Sequence, residues 1–469
     1  MANLNIQKLI NFRNRIIVLF NHSKQALISV IDAIAAPKNG DSVVKMSLSS
    51  LFSRHYTSIF QAIRDLFRKK SKNGDGEQDR TGGKEKLTEI LGEQCADPIE
   101  RPFFLLGTDC TPHPRMFAQR LEDRTMVYTP NKIGGPPVTI GHQYSVVACL
   151  PEKGKGSSPT WVNPLSVERV KSSEKATEVG AKQLKRIIES EKFYNHLVVG
   201  VGDGAYSAGS YIKSVEDIDN AVQILRLRSN RVLYRGLSEE REEHRRGRPK
   251  RYGEELRLKN PTQADEEELI GREMKKGNKV AIKIERWNNV LMRGKEQCAP
   301  MDVVRIEVRN EEGKQVYAKP LWLTIVGKRR RELSLNQIYD AYIQRYGMEH
   351  FFRFSKKNLL MDRFQTPEVE HEENWWWLGL IAYTMLHMVE PLSESMMYPW
   401  EKKMSKSNGK EKTPSQVQRD YERIIRQMGL EASIPKPRGK SPGRIKGQVA
   451  KRRSKQPVIK KQKKLIKAA

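Results

Sequence analysis

Cysteine is scarce in this chain. The 469 residues hold four, Cys95, Cys110, Cys149 and Cys298, with no Cys-x-x-Cys pair and no histidine at zinc-ligand spacing. That argues against a disulfide-stapled scaffold and a thiolate zinc site, and leaves buried thiols in a reducing compartment as the default. Long apolar runs are missing as well. The stretch 16–20, IIVLF, is far too short to span a bilayer, and no N-terminal stretch reads as the apolar core of a signal peptide. The expected setting is therefore cytoplasmic, without a membrane. Acidic residues are in deficit, 56 against 85 Lys and Arg, which leaves a net charge of +29 and a pI of about 9.8. Such an excess implies a polyanionic partner, and nucleic acid fits because cations placed on its backbone release condensed counterions. A basic soluble protein with no such partner is the alternative. No Ser-His or Cys-His arrangement suggests a protein nucleophile.

What is present is concentrated in the run 341–357, AYIQRYGMEHFFRFSKK. It spaces Tyr342, Arg345, Glu349 and Lys356 as Tyr-x2-Arg-x3-Glu-x6-Lys. On one continuous helix these four fall within a stripe about 60° wide. One carboxylate among two cations and a phenol suits a metal-bound phosphodiester: the carboxylate holds a hard cation while Arg, Lys and Tyr hold phosphate oxygens. The same stripe also reads as a solvated face with intrahelical Glu-Arg and Glu-Lys pairs.

Two further acids end apolar runs. Residues 101–111, RPFFLLGTDCT, lead into Asp109, and residues 196–207, HLVVGVGDGAYS, lead into Asp203. Short runs rich in β-branched residues and bounded by glycine read as buried strands, which puts each Asp at or just past a strand end. Either acid alone reads equally as a turn or cap residue. Together, the order Asp109, Asp203, Glu349, with the last inside a Tyr-Arg-Glu-Lys signature, resembles the DDE transposases of bacterial insertion sequences, in particular the cut-and-paste group of insertion sequence family four and its relatives. The resemblance runs from about residue 102 to 390.

It implies an α/β fold with an RNase H-like catalytic core, both Asp residues on sheet strands and the Glu on a following helix. It implies Asp109, Asp203 and Glu349 as catalytic metal ligands for two Mg²⁺ ions, with Mn²⁺ able to substitute. Tyr342, Arg345 and Lys356 become DNA contacts. The implied partners are DNA, both transposon terminal inverted repeats and target DNA, and a second copy of the chain in a homodimer on that DNA. The implied location is the nucleoid. Water frees a 3′-hydroxyl at the transposon end, and that hydroxyl attacks target DNA. Two other readings stand beside this one: an inactive or domesticated DNA-binding relative, and an RNase H-like nuclease without strand transfer.

The rest of the chain fits around these residues. Residues 6–20 and 47–67 carry helical apolar spacing on either side of a break at 37–40, and 71–86 is a polar, Gly-rich hinge, so 1–95 reads as an N-terminal helical domain and linker. It either grips the element's end or packs and dimerises. Residues 138–150, 160–167 and 221–228 read as strands and 172–188 as a helix, completing a first core part over 96–228. The interval from Asp203 to Glu349, 146 residues, is longer than a strand and a loop need, and 280–287, 303–309 and 321–326 are β-rich. A β-rich insertion domain is expected over 229–329, with the core resuming over 330–395.

Within the insertion, 244–253 centres on a Gly-Arg-Pro core that can enter an A·T minor groove, which makes Arg246 and Arg248 candidate DNA contacts beside the alternative of a solvated loop. Trp287 and Trp322 are candidates to stack on an extruded base, or are core, Trp322 especially. The apolar run 373–387 reads as a core helix. Residues 401–469 hold 22 Lys and Arg against 5 Asp and Glu, +17 of the total +29. The region 396–469 reads as a disordered basic tail that adds nonspecific DNA affinity.

Overall fold

The β-branched runs become strands and the 3.6-period runs become helices in the computed structural model. It describes residues 2–37, 42–68, 80–129, 136–152, 161–237, 251–273, 279–293, 298–393, 411–429, 433–440, 443, 446, 447, 449 and 452–460. Four helices come first, α1 (Ala2–Leu19), α2 (Lys24–Ala35), α3 (Thr57–Asp65) and α4 (Arg80–Gly92). Strands β1 (Phe103–Pro114), β2 (Thr125–Tyr128), β3 (Val138–Cys149) and β4 (Asn163–Val170) follow. Next are α5 (Ala176–Ile188), α6 (Glu191–Tyr194), β5 (Leu197–Gly202), α7 (Gly209–Val215) and β6 (Ala221–Leu227). A run of strands comes after them: β7 (Val232–Arg235), β8 (Glu255–Arg257), β9 (Glu266–Glu273), β10 (Lys279–Met292), β11 (Met301–Asn310) and β12 (Leu321–Val326). The chain closes with α8 (Leu335–Gln344), α9 (Tyr346–Asn358), α10 (Val369–Met388), α11 (Glu390–Ser393) and α12 (Pro414–Arg426). The strands make a large, mostly open mixed sheet, consistent with the expected RNase H-like fold.

Two compact units divide the chain, one of residues 98–109 and 180–346, the other of residues 1–97, 110–179 and 347–469. In the first, β1 runs parallel to β5 and β5 parallel to β6. From β6 the pairing continues antiparallel through β12, β11 and β10 to β7 and β8, with β9 also on β10. The strands expected as a separate insertion over 229–329 thus extend the core's own sheet. Pairing with β12 removes the open edge that β6 would otherwise present. Beneath these strands Trp287 and Trp322 pack 5.3 Å apart with Leu225, Leu227 and Val303.

In the second unit β2 and β4 both pair antiparallel with β3. Gly141 lets β3 close on the end of β1: a Cβ there would lie 2.1 Å from the His113 carbonyl oxygen. The core helix expected over 373–387 is α10, which buries Trp375, Trp376 and Trp377 and packs on β4, α2, α3 and α12. Residues 1–95 therefore do not stand apart, since α2 and α3 share that core. The expected hinge is also shorter than 71–86. Helix α4 begins at Arg80, and Lys84 pairs with Glu373 at 3.2 Å; 71–79 lie outside the described residues.

The tail departs most from expectation. Helix α12 starts with a Thr413/Gln416 capping box and buries Val417, Tyr421, Ile424 and Ile425. The Tyr421 hydroxyl donates to Asp32 at 2.9 Å, beside the buried Arg13–Asp32 pair. Average composition hides this helix, because four apolar residues at helical spacing are diluted by the cations around them. Residues 394–410 and 461–469 lie outside the described residues.

Candidate active site

Register assembles the first part of the site. Gly107 pairs with Val201, and Val201 with Ile224. The parallel ladders end at Gly107–Val201 and Gly202–Leu225; residues two apart share a face, so Asp109, Asp203 and Arg226 follow just past that pairing on the side of Gly107, Val201 and Ile224. Asp109 is not at the end of its strand as expected, because β1 runs on to Pro114. Its ladder with β5, however, stops at Gly107, so the missing N–H groups of Pro112 and Pro114 cost no bond on that side. Asp203 lies one residue past β5, as expected. Its Oδ1 accepts the Ala205 N–H at 2.9 Å, so it also closes an Asx turn.

Arg345 joins this group. Its Nη1 lies 3.5 Å from Asp109 Oδ2, with the carboxyl side chain 18% exposed. The same guanidinium stands 5.9 Å from the Tyr342 ring centre. Tyr342 is buried, and burial pushes its phenol pKa up, with Arg345 and Arg226 pulling it down and Asp203 adding to the rise. Asp109, Asp203, Tyr342, Arg345 and Arg226 thus share one charged neighbourhood within residues 98–109 and 180–346. Arg226 was not recognised in the sequence. It is the single exposed residue of β6, and its side chain makes no hydrogen bond or ion pair among the described residues. Its only signal is an arginine interrupting a strand that reads as buried.

The signature segment is not one unbroken helix. Helix α8 ends at Gln344 and α9 begins at Tyr346, with the Arg345 N–H bonded three residues back to the Tyr342 carbonyl at 3.1 Å. The even stripe from Tyr342 to Lys356 is therefore interrupted. Glu349 is half-buried in the first turn of α9. Lys356 Nζ donates to the Pro112 carbonyl at 2.6 Å, and burial lowers its pKa to about 8 against the pull of Asp362. Arg246 and Arg248 lie outside the described residues. Trp287 is corrected: it is 1% exposed, its Nε1 donates to the Thr262 carbonyl at 3.1 Å, and its ring packs on buried Trp322. An indole enclosed in this way has no face free for an extruded base.

A buried ionic cluster in the other unit was also missed. Glu372, at the start of α10, accepts from the Tyr144 hydroxyl at 2.8 Å, meets His142 Nδ1 at 2.6 Å and lies 3.2 Å from Arg115 Nε. Burial alone would raise its carboxyl pKa, but His113, His142 and Arg115 hold it down at about 2. His113 is itself pushed down by burial and accepts the Trp376 Nε1–H at 3.2 Å. The cluster joins β1, β3 and α10 and is a packing feature.

Among the described residues no three His, Cys, Asp or Glu side chains gather closely enough to hold a metal ion. Asp109 and Asp203 nevertheless offer hard carboxylate oxygens just past the end of the parallel pairing, the kind that suits a hard divalent cation. This group of acids beside arginines is the candidate site. The family model of DDE superfamily endonucleases matches residues 18–294, more than half of the chain, and the chain belongs to that family. DDE superfamily nucleases act on DNA and generally use divalent metals. The match includes Asp109 and Asp203 and ends before the signature segment. No curated protein matches the chain.

Proposed function

We propose that this protein is a cut-and-paste transposase that cleaves DNA at transposon ends and joins the freed 3′-hydroxyl to target DNA. The group of Asp109 and Asp203 with Arg345 paired to the first acid carries the reading. Family membership and the Tyr-Arg-Glu-Lys spacing support it.

Asp109, Asp203 and Glu349 would hold two Mg²⁺ ions, or Mn²⁺ in their place. Bound there, the ions would supply an activated water and neutralise charge at the scissile phosphate. Arg345 and Arg226 bind non-bridging phosphate oxygens, and the Arg345–Asp109 pair keeps that guanidinium oriented before DNA arrives. Tyr342, held by burial, orients one strand. Lys356, bonded to the Pro112 carbonyl, positions the end of β1. In the first step a water oxygen bonds to phosphorus and the 3′-oxygen leaves as a hydroxyl. In the second that hydroxyl bonds to a target phosphorus and a target 3′-oxygen leaves. The DNA partners are the terminal inverted repeats and the target, and the protein acts as a homodimer on them in the cytoplasm, at the nucleoid. No helix of the described residues is long and apolar enough to cross a membrane.

The test is cleavage and joining with a DNA end taken from the flanks of the coding region, a plasmid target and Mg²⁺. Replacing Asp109, Asp203 or Glu349 singly by Ala should abolish cleavage while DNA binding is retained. Retained cleavage in any of the three would sink the assignment of that acid. Cleavage by the wild type without joined product would favour a nuclease that lacks strand transfer.

A further inference from the structure

The described part of the C-terminal tail includes a strap laid along a sheet edge. Strand β2 is the last in its row, and residues 452–460 lie beside it. Ile459 bridges Thr125 in parallel sense, with its N–H on the Arg124 carbonyl at 2.8 Å and its carbonyl accepting the Thr125 hydroxyl at 2.9 Å. Gln456 donates its N–H to the Gln119 carbonyl at 2.8 Å and accepts from Arg124 Nη2 at 3.2 Å, while Arg453 pairs with Glu368. Arg124 also donates to the Arg115 and Met116 carbonyls, at 3.4 and 3.3 Å, so one buried guanidinium fixes both the strap and the turn that carries Phe117.

Two kinds of group are displayed on this fixed frame. Arg452, Lys455 and Lys460 are exposed and make no hydrogen bond or ion pair among the described residues. Phe117 is 89% exposed, and Tyr128, on the outer face of β2, is 63% exposed. Cations with no protein counterion call for an anion. Exposed rings call for flat apolar partners, and duplex DNA keeps its base faces stacked inside.

We infer that the strap and the β2 face form a binding surface for single-stranded nucleic acid, with Arg452, Lys455 and Lys460 on phosphates and Phe117 and Tyr128 stacked on bases. The surface is independent of the cleavage reading. Anchoring by backbone bonds means the segment that carries the cations is already ordered, so binding loses less chain freedom than a loose tail would.

The test uses the full chain, fluorescence anisotropy, a labelled oligo-dT of about 20 nucleotides and a duplex of equal length, over a series of salt concentrations. The wild type should bind oligo-dT. The triple variant Arg452→Gln, Lys455→Gln, Lys460→Gln should lower the logarithmic salt slope by about 2, from roughly 0.7 per lost phosphate contact. The double variant Phe117→Ala, Tyr128→Ala should weaken oligo-dT binding about tenfold or more at fixed salt and leave duplex binding unchanged. Phe117→Trp, which keeps a ring, should bind at least as tightly as the wild type. Asp203→Ala, in the other unit, should bind oligo-dT normally, so a failure of the cleavage reading is told apart from a failure here. No oligo-dT binding, an unchanged slope in the triple variant, or equal losses on single strand and duplex in the double variant would each overturn the inference. A shift only in self-association, read by light scattering, would instead make the face an interface between copies and overturn it as well.

Discussion

Arg226 illustrates how one side chain changes meaning with its neighbours. Read along the chain it is an arginine in an apolar run; across three parallel strands it lies, like Asp109 and Asp203, just past the last paired residues. An exposed guanidinium that acts on Tyr342 and whose side chain makes no ion pair among the described residues is the one proposed above to receive a phosphate. Arg226→Gln should raise the KM for DNA, with a smaller effect on kcat, and reduce the salt slope of duplex binding by about 1, checked by steady-state cleavage and salt-dependent anisotropy. An unchanged slope would remove it from the site. Glu372 shows the opposite situation, a charge with every neighbour inside the protein. Its folded pKa, about 2, lies below the ordinary 4.5, so its contribution to stability is fully present above pH 4.5 and is lost as pH falls toward 2. Glu372→Ala should destabilise the protein by about 3–5 kcal/mol, because Arg115 would be left buried without its counterion. Urea unfolding at pH 7 and pH 3 checks both statements: the variant's deficit should shrink at the lower pH. Trp287 and Lys356 were harder to read from sequence for a related reason. An indole on a β-run and a lysine in a motif do not reveal whether the side chain ends in solvent or, as here, on a backbone carbonyl.

At the scale of elements, the runs over 103–109 and 197–202 were legible as strands because β-branched and aromatic residues crowd between glycines and turns. The continuation of β1 through two prolines was not, since proline argues against a strand wherever a ladder bond is needed, and only the tertiary pairing shows that β5 needs none there. Strand β3 depends on Gly141 at its approach to His113. Gly141→Ala would bring a methyl group to 2.1 Å from that carbonyl, a contact that must push the two strands apart. A loss of about 1–3 kcal/mol is expected, measured as a lower urea midpoint with an unchanged slope. The signature segment was legible as helical, and its division at Arg345 was not, because the break comes from a three-residue closure of the backbone that no residue type in the run demands.

For the whole molecule, charge and packing divide the tail between two tasks. Ending the chain at residue 410 would remove α12 and uncover the core around Asp32, and each of Val417, Tyr421, Ile424 and Ile425 contributes about 1.5–3 kcal/mol of burial. That truncation should therefore yield protein that is aggregated or unfolded by circular dichroism. Ending it at residue 440 should leave the thermal midpoint within a few degrees of the full chain's while lowering nonspecific DNA affinity; equal stability of the two truncations would show that α12 does not support the fold. The sequence by itself carried the class: the order of its acids resembles that of the DDE family to which the chain belongs, and its +29 charge implies a polyanionic partner, because residue type and spacing fix which charges are available. Only the tertiary structure decided which charges remain available to a ligand. It set Asp109, Asp203 and Arg226 just past the end of one parallel pairing, enclosed Trp287, and turned part of a basic tail into a core helix and an edge strap. These outcomes depend on contacts between residues tens to hundreds of positions apart, and local periodicity carries no record of such partners.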